Sequence, residues 1–274
     1  MSVRIAIIGG TGVYDPDILE DVREEQVETP YGPVDLHLGR FEGHDIAFLA
    51  RHGRGHAVPP HRVNYRANVY ALSVLGVERV IATNAVGSLR ERFAPGHFVL
   101  ADQFLDFTRG RPQTFFEGGE AGVYHIDVTE PYCPQIRRVL YETGRPLGLS
   151  VHDGATYVCT EGPRFETPAE IRMFDRLGGD LVGMTSVPEA VLAREAGLCY
   201  ATVCMVTNYA AGLVDYPLSH EEVLEVMARN VNNLRTLIME TIPRIPAERS
   251  CGCADASPLK LGLRADAQAG GGPR

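Results

Sequence analysis

The 274-residue chain has no long apolar run. No stretch approaches the roughly 20 consecutive apolar residues that a membrane-spanning helix needs. The run Ile5 to Ile8 is too short for the core of a secretion signal and ends in glycines. A soluble, cytoplasmic protein with no membrane partner is expected. Positive charge is also scarce: 26 Lys and Arg stand against 35 Asp and Glu, a formal net charge of -9. Nucleic acid is excluded as an expected partner, because its phosphates demand a basic face. A small anion is not excluded, since a few local Arg or His residues suffice for it.

Metal-ligand spacing is lacking too. His52, His56 and His61 are close in sequence, but they lie among glycines and prolines that offer no helical i, i+4 register. No adjacent Cys or Asp completes a tetrahedral set, so no metal is expected. Cys251-Gly-Cys253 lacks a second pair, and a disulfide or two free thiols is the expectation there. Cys133, Cys159, Cys199 and Cys204 lie in or beside apolar segments and are read as core residues. There is no internal repeat. The chain is expected to form one domain over residues 1–250, with the Cys-Gly-Cys and a disordered tail over 251–274, where composition turns small and polar.

What is present is an alternation of β-branched apolar runs and amphipathic ones. Val3 to Ile8, Asp45 to Ala50, Val80 to Thr83, His97 to Phe104, Ala155 to Cys159, Asp180 to Met184 and Cys199 to Val206 read as strands. Residues 15–40 read as loops and an edge hairpin. Helices are expected over Val63 to Leu75, Cys133 to Thr143, Thr167 to Leu177 and Pro188 to Ala196. Thr167 with Glu170 has the form of a capping box, as does Ser219 with Glu222 before a helix whose buried stripe is Leu224, Met227, Val231, Leu234 and Ile238. This pattern predicts an α/β sheet with helices on both faces. Four segments follow strands and are expected to converge at one end of the sheet: 9–12, 51–56, 84–88 and 207–212.

Several of these segments carry polar chemistry. Gly9-Gly10-Thr11-Gly12 can offer backbone N–H groups and a hydroxyl to an anion, or can be a turn only. It is neither a P-loop nor the full dinucleotide fingerprint, whose third glycine is missing. Arg51 has the forked donor that matches a phosphate, with His52 beside it. Phe165 can stack on a base or pack in the core. Glu166 precedes a helix N-cap and has no evident packing role. Asn208 ends an apolar strand, where it caps a turn or pairs with a heterocycle edge.

Taken together and in order, Gly-Gly-Thr-Gly, Arg51-His52-Gly, Asn-Ala-Val-Gly-Ser, Glu-Gly-Pro-Arg-Phe-Glu-Thr, Gly-Met-Thr-Ser-Val-Pro-Glu and Val-Thr-Asn are telling. The chain resembles the trimeric purine nucleoside phosphorylase and methylthioadenosine phosphorylase family over about residues 3–245. The resemblance implies a single α/β domain whose twisted mixed sheet is partly closed into a barrel and flanked by helices. It implies a homotrimer or dimer of trimers in which each site borrows residues from a neighbour. It also implies phosphorolysis without a cofactor, inorganic phosphate being a cosubstrate. Carried over, Thr11, Arg51, His52, Asn84, the N–H of Ala85 and Thr185 would hold phosphate. Met184 would lie under the ribose, Phe165 on the base, and His125 would reach the 5′ end of a ligand in the next subunit. Asn208 and His52 would be catalytic, with Glu166, Tyr209 and Ala210 completing the base side.

The base is read from three positions. A 6-oxopurine carries N1–H, which a Glu166 carboxylate can accept, whereas adenine presents a bare N1 lone pair. Asn208 can accept from N7–H and donate to O6. The resemblance places Asp, an acid and Ser in methylthioadenosine-cleaving relatives where this chain has Asn208, Ala210 and Glu166. His220, at a helix start, is expected neutral and able to bond a ribose 5′-hydroxyl, or else simply faces solvent. A nucleoside phosphorylase acting on inosine and guanosine is therefore expected. S-methyl-5′-thioinosine or S-methyl-5′-thioadenosine phosphorylase is the rival.

Overall fold

Strand β1 (Ile5–Gly9) is buried at every position, as expected of a strand covered on both faces of a parallel sheet. A computed structural model describes residues 3–9, 13, 18–214 and 220–257, without the side chains of Arg54, His220 and Glu222. Thr11, Ser219 and the chain past 257 lie outside the described residues, as does the helix-cap pair Ser219 and Glu222.

The chain builds one branched sheet. β1 pairs in parallel with β4 (His44–Ala50) and β5 (Arg79–Ser88). Outside β4 lies the edge hairpin of β2 (Glu20–Val27) and β3 (Val34–Phe41). The charged side chains of β2 stay exposed, which discourages edge-to-edge pairing with another chain. On the other side of β5 the sheet divides. β10 (Leu181–Gly183) runs antiparallel to the far half of β5 and continues through β9 (Thr156–Thr160) to β7 (Gln103–Phe107). β11 (Cys199–Tyr209) runs parallel to β5 along its whole length and leads to β6 (Phe98–Leu100) and β8 (Val151–Asp153). No pair among the described residues joins the ends β7 and β8. The sheet is thus mixed and branched rather than a complete barrel.

Alternation along the strands fills two apolar layers. Ala6 and Ile8 of β1 face one cluster, and Ile5 and Ile7 face the other. Helices α1 (Tyr65–Val74) and α4 (Ser186–Glu195) cover the first face. α2 (Pro134–Gly144) and α5 (His220–Thr241) cover the second. α3 (Pro168–Arg176) caps a smaller cluster through Ile171 and Phe174. Its capping box is present: the Thr167 hydroxyl accepts from Glu170 N at 3.2 Å, and Glu170 accepts from Thr167 N at 2.7 Å.

Three expectations are corrected. Residues 84–88 and 207–209 are not loops but the far ends of β5 and β11. Asn, Gly and Ser disfavour strands locally, yet these residues are paired with β10 and β11, and tertiary pairing overrides the local preference. The run His97 to Phe104 splits into β6 and β7 at Ala101-Asp102, and the two halves join different branches. Folded chain also extends beyond residue 250, since Cys253 is 2% exposed. Among the described residues no helix is long and apolar enough to cross a membrane.

Candidate active site

A cavity of about 600 Å³ opens where β4, β5, β10 and β11 end. It is lined by Arg51, His52, Asn84, Ala85, Phe165, Glu166, Met184, Thr185, Asn208 and Ala210, so three of the four expected segments meet there; residues 10–12 of the fourth lie outside the described residues.

Two features of the backbone aim these groups. The first is the antiparallel step from β5 to β10. Val182 pairs with Gly87, so the chain after Gly183 runs back beside Asn84. Thr185 Oγ1 then donates to Asn84 Oδ1 at 2.5 Å, and Asn84 Nδ2 donates to Thr202 Oγ1 at 2.5 Å. The second is a register shift in β11 between Val206 and Asn208. A bulge puts two successive side chains on one face, and both Thr207 and Asn208 line the cavity. Thr207 Oγ1 donates to Asn208 Oδ1 at 2.8 Å, and Asn208 Nδ2 donates to the Tyr209 carbonyl at 2.9 Å. A carboxamide has two lone pairs and two hydrogens to offer. One acceptor and one donor therefore remain on Asn208.

Glu166 is half-buried, and its Oε1 accepts from Thr160 Oγ1 at 2.6 Å. Burial pushes its pKa above the ordinary carboxylate value; the Thr160 bond only partly offsets this. The Glu166 carboxyl group lines the cavity. Phe165, 37% exposed, lies next to it. Met184 crosses the floor so closely that a Cβ on Gly162 would sit 2.5 Å from its Sδ. Gly162 also has φ +64°, a left-handed conformation that favours glycine there.

Arg51 is buried, and its fork grips Glu189 rather than opening entirely to the cavity. Nε and Nη2 donate to the two Glu189 oxygens at 2.9 and 2.8 Å, and Nη1 donates to the Thr83 carbonyl at 2.8 Å. Three of five N–H groups are used, which leaves two. Burial alone would lower the Arg51 pKa, but the charge and hydrogen bonds of Glu189 reverse this and raise it. His52 Nδ1 donates to the Val58 carbonyl at 2.8 Å. A carbonyl only accepts, so the neutral ring turns its Nε2 lone pair outward. Burial first, and then the Arg51 charge, hold the His52 pKa down to about 4. Its ring stacks on His56, 4.2 Å between centroids.

Other expected residues fall elsewhere. Tyr209 does not line the cavity; alternation along β11 turns it away from Asn208 and Ala210, and its hydroxyl approaches the Glu91 carbonyl at 3.4 Å. His125 is exposed and away from this chain's own cavity. Thr11 and the His220 side chain lie outside the described residues. Leu224, read as part of a buried stripe, is 45% exposed because it faces the cavity with Val223 and Met227.

Sequence reasoning missed two residues. Glu189, 0% exposed, neutralises Arg51 and accepts from Tyr200 Oη at 2.7 Å. The signal available was an acid closing the Thr-Ser-Val-Pro-Glu run at the start of an otherwise apolar helix. Arg111 reaches from a polar segment to hold the chain on both sides of the cavity, donating to the Met184 carbonyl at 2.7 Å and the Glu161 carbonyl at 2.6 Å. Nothing in its local sequence marks it.

Comparison with known proteins agrees with this geometry. The family model described as "Phosphorylase superfamily" matches residues 4–243. A probable 6-oxopurine nucleoside phosphorylase of Moorella thermoacetica is 62% identical over 255 residues, 93% of this chain and 98% of the relative. A 6-oxopurine nucleoside phosphorylase of Pyrococcus furiosus is 57% identical over 258 residues, 92% of this chain and 97% of the relative. Among solved structures, methylthioadenosine phosphorylase of Schistosoma mansoni in complex with adenine aligns with a TM-score of 0.85 at 37% identity, covering 90% of this chain and 93% of that one. With the family matched over most of its length, the chain belongs to the phosphorylase superfamily.

Proposed function

We propose that the protein catalyses phosphorolysis of 6-oxopurine nucleosides, inosine and guanosine, to the free base and ribose 1-phosphate, as a step of purine salvage. The observation that carries this reading is that Glu166 and Asn208 line the same cavity as Arg51 and His52. An ionised Glu166 carboxylate has acceptor capacity beyond its Thr160 bond and can accept N1–H. One carboxamide acceptor and one donor remain for N7–H and O6. An adenine would meet an acceptor with its N1 lone pair and a donor with its amino group. Unpaired polar groups of this kind discriminate by up to about 10⁴–10⁵.

In the reaction a phosphate oxygen bonds to the anomeric carbon while the bond from that carbon to purine N9 breaks. The bonding pair leaves with the purine. Positive charge grows on the sugar and negative charge on the base. The phosphate dianion stabilises the first; N7 takes a proton from solvent as the bond breaks, matched by the one that the phosphate ester releases, and Asn208 accepts from that N7–H and donates to O6. A donor aimed at charge that appears only in the transition state is worth roughly 3–4 kcal/mol. His52, neutral with Nε2 as acceptor, is suited to accept a hydrogen bond from the P–OH of phosphate. The two remaining Arg51 N–H groups, Thr185, Thr11 and the Ala85 N–H complete the anion cradle. Met184 supports the ribose, and Phe165 packs on the base. Catalysis needs no cofactor in this scheme. A cytoplasmic homotrimer is proposed with it, His125 reaching the neighbour's site; exposed Val123 and Tyr124 beside His125 support such a contact face.

A second reading is favoured by the apolar wall of Val223, Leu224 and Met227, which suits a 5′-methylthio group. A steady-state panel of inosine, guanosine, adenosine and the two 5′-methylthio nucleosides separates the readings. The expected order puts inosine and guanosine first; a large preference for methylthioadenosine would overturn the assignment.

A further inference from the structure

The Cys-Gly-Cys near the C-terminus acquires in the fold the second pair that it lacks in sequence. Cys133 is the N-cap of α2, and Cys199 opens β11. The Sγ atoms of Cys133, Cys199, Cys251 and Cys253 all lie within 4.8 Å of one another. Cys251 Sγ is 3.6 Å from Cys133 Sγ and 3.4 Å from Cys199 Sγ. All four are free thiols, and three are buried.

We propose that these four side chains form a tetrahedral site for one Zn²⁺ that fastens the C-terminal segment to the body of the domain. Zn–S bonds of about 2.3 Å require sulfur-to-sulfur edges of about 3.8 Å, so the observed cluster needs only small adjustments. Thiolates are soft ligands, and an S₄ set selects zinc over the hard cations magnesium and calcium. On binding, four S–H bonds are exchanged for four Zn–S bonds, and four protons pass to solvent. The complex carries two negative charges, which the N-terminal end of α2 at Cys133 favours.

The surrounding residues already hold the ligands in place. Gln135 Nε2 donates to the Glu248 carbonyl at 3.0 Å, and its Oε1 accepts from Ser250 N at 3.3 Å. Arg79 Nη2 donates to the carbonyls of Pro246 and Ala247. Arg249 Nη1 donates to the Gly197 carbonyl. Such an outer layer orients metal ligands. All four positions are filled by protein, which marks a structural site and not a catalytic one. Nine strand steps of β11 separate Cys199 from Asn208, roughly 30 Å, so the site is remote from the cavity. The expectation of no metal rested on spacing alone, and spacing cannot show cysteines brought together from three distant segments.

The test uses the full chain isolated without chelator or added reductant. Elemental analysis of the wild type is expected to give one zinc ion per chain. Exchange with Co²⁺ is expected to give the visible bands and sulfur-to-cobalt charge transfer of a tetrahedral thiolate site. The double variant Cys251→Ser/Cys253→Ser is expected to lose the metal and to melt at lower temperature, while Cys204→Ala keeps it. Wild-type protein free of metal would overturn the proposal, whether its intact mass shows two disulfides (four hydrogens lighter) or four free thiols. Stoichiometric iron would overturn the zinc assignment. The wild-type measurements decide the matter even where a variant fails to fold, and they are independent of which nucleoside the cavity accepts.

Discussion

At the scale of single residues, the cavity works by counting lone pairs and hydrogens. Asn208 retains one of each after its bonds to Thr207 and Tyr209. Replacing its NH₂ by a second acceptor in Asn208→Asp removes the donor for O6 and creates a partner for a 6-amino group. The inosine-to-adenosine ratio of kcat/KM is expected to fall by at least about tenfold, one hydrogen bond's worth. An unchanged ratio would refute the role given to Asn208. Glu189 is the counterpart on the phosphate side. Glu189→Ala leaves a fully buried Arg51 without its partner, and breaking such a pair costs about 3–5 kcal/mol. A large drop in denaturant midpoint, together with weakened phosphate saturation, is expected.

His52 and Glu166 give opposite pH signs. His52 is held at about 4 against an ordinary 6.5, so the unfolded chain binds its proton more readily. Its contribution to stability is complete above pH 6.5 and is lost as pH falls through the window down to about 4, at most about 3 kcal/mol. For Glu166 the folded state holds the proton more tightly than the unfolded chain. Its carboxylate opposes folding at neutral pH, and that opposition fades as pH falls toward 4.5. Glu166 must be ionised to accept N1–H. The acidic limb of kcat/KM for inosine is therefore expected above pH 4.5, and Glu166→Gln should displace or abolish it.

At the scale of elements, the decisive pieces are the β11 bulge and the β5–β10 step. Both depend on Gly87, where a Cβ would lie 3.2 Å from Asn208 Nδ2 and 3.2 Å from Val182 Cγ1. Asn208 is tied on both sides and cannot yield freely. Gly87→Ala is expected to shift the carboxamide by a few tenths of an ångström and to lower kcat/KM for inosine by roughly tenfold. The thermal midpoint should move little, because φ at Gly87 is not positive. A variant with full activity would show that Asn208 has more freedom than its two hydrogen bonds suggest.

At the scale of the whole molecule, one sheet with two helical layers carries a site on one rim and a cysteine cluster near the start of β11. A neighbouring subunit is part of the proposed enzyme. Sedimentation is expected to give three chains or six. His125→Ala is expected to preserve that mass while raising KM for nucleosides. Loss of activity with monomeric protein would instead assign His125 to assembly.

The sequence by itself determined the alternation of strands and helices, the Thr167 capping box and the polar residues at the strand ends. Hydrophobic period, cap chemistry and strand polarity are local, and each can be read over a few residues. Only the tertiary structure decided that Asn84–Ser88 is strand, that Arg51 spends its fork on Glu189, that Tyr209 faces away, that Arg111 ties the cavity walls and that four distant cysteines meet. Each of these depends on partners 50 or more residues away or on the register of neighbouring strands. A one-residue bulge reverses which side chains share a face, and no local propensity encodes it.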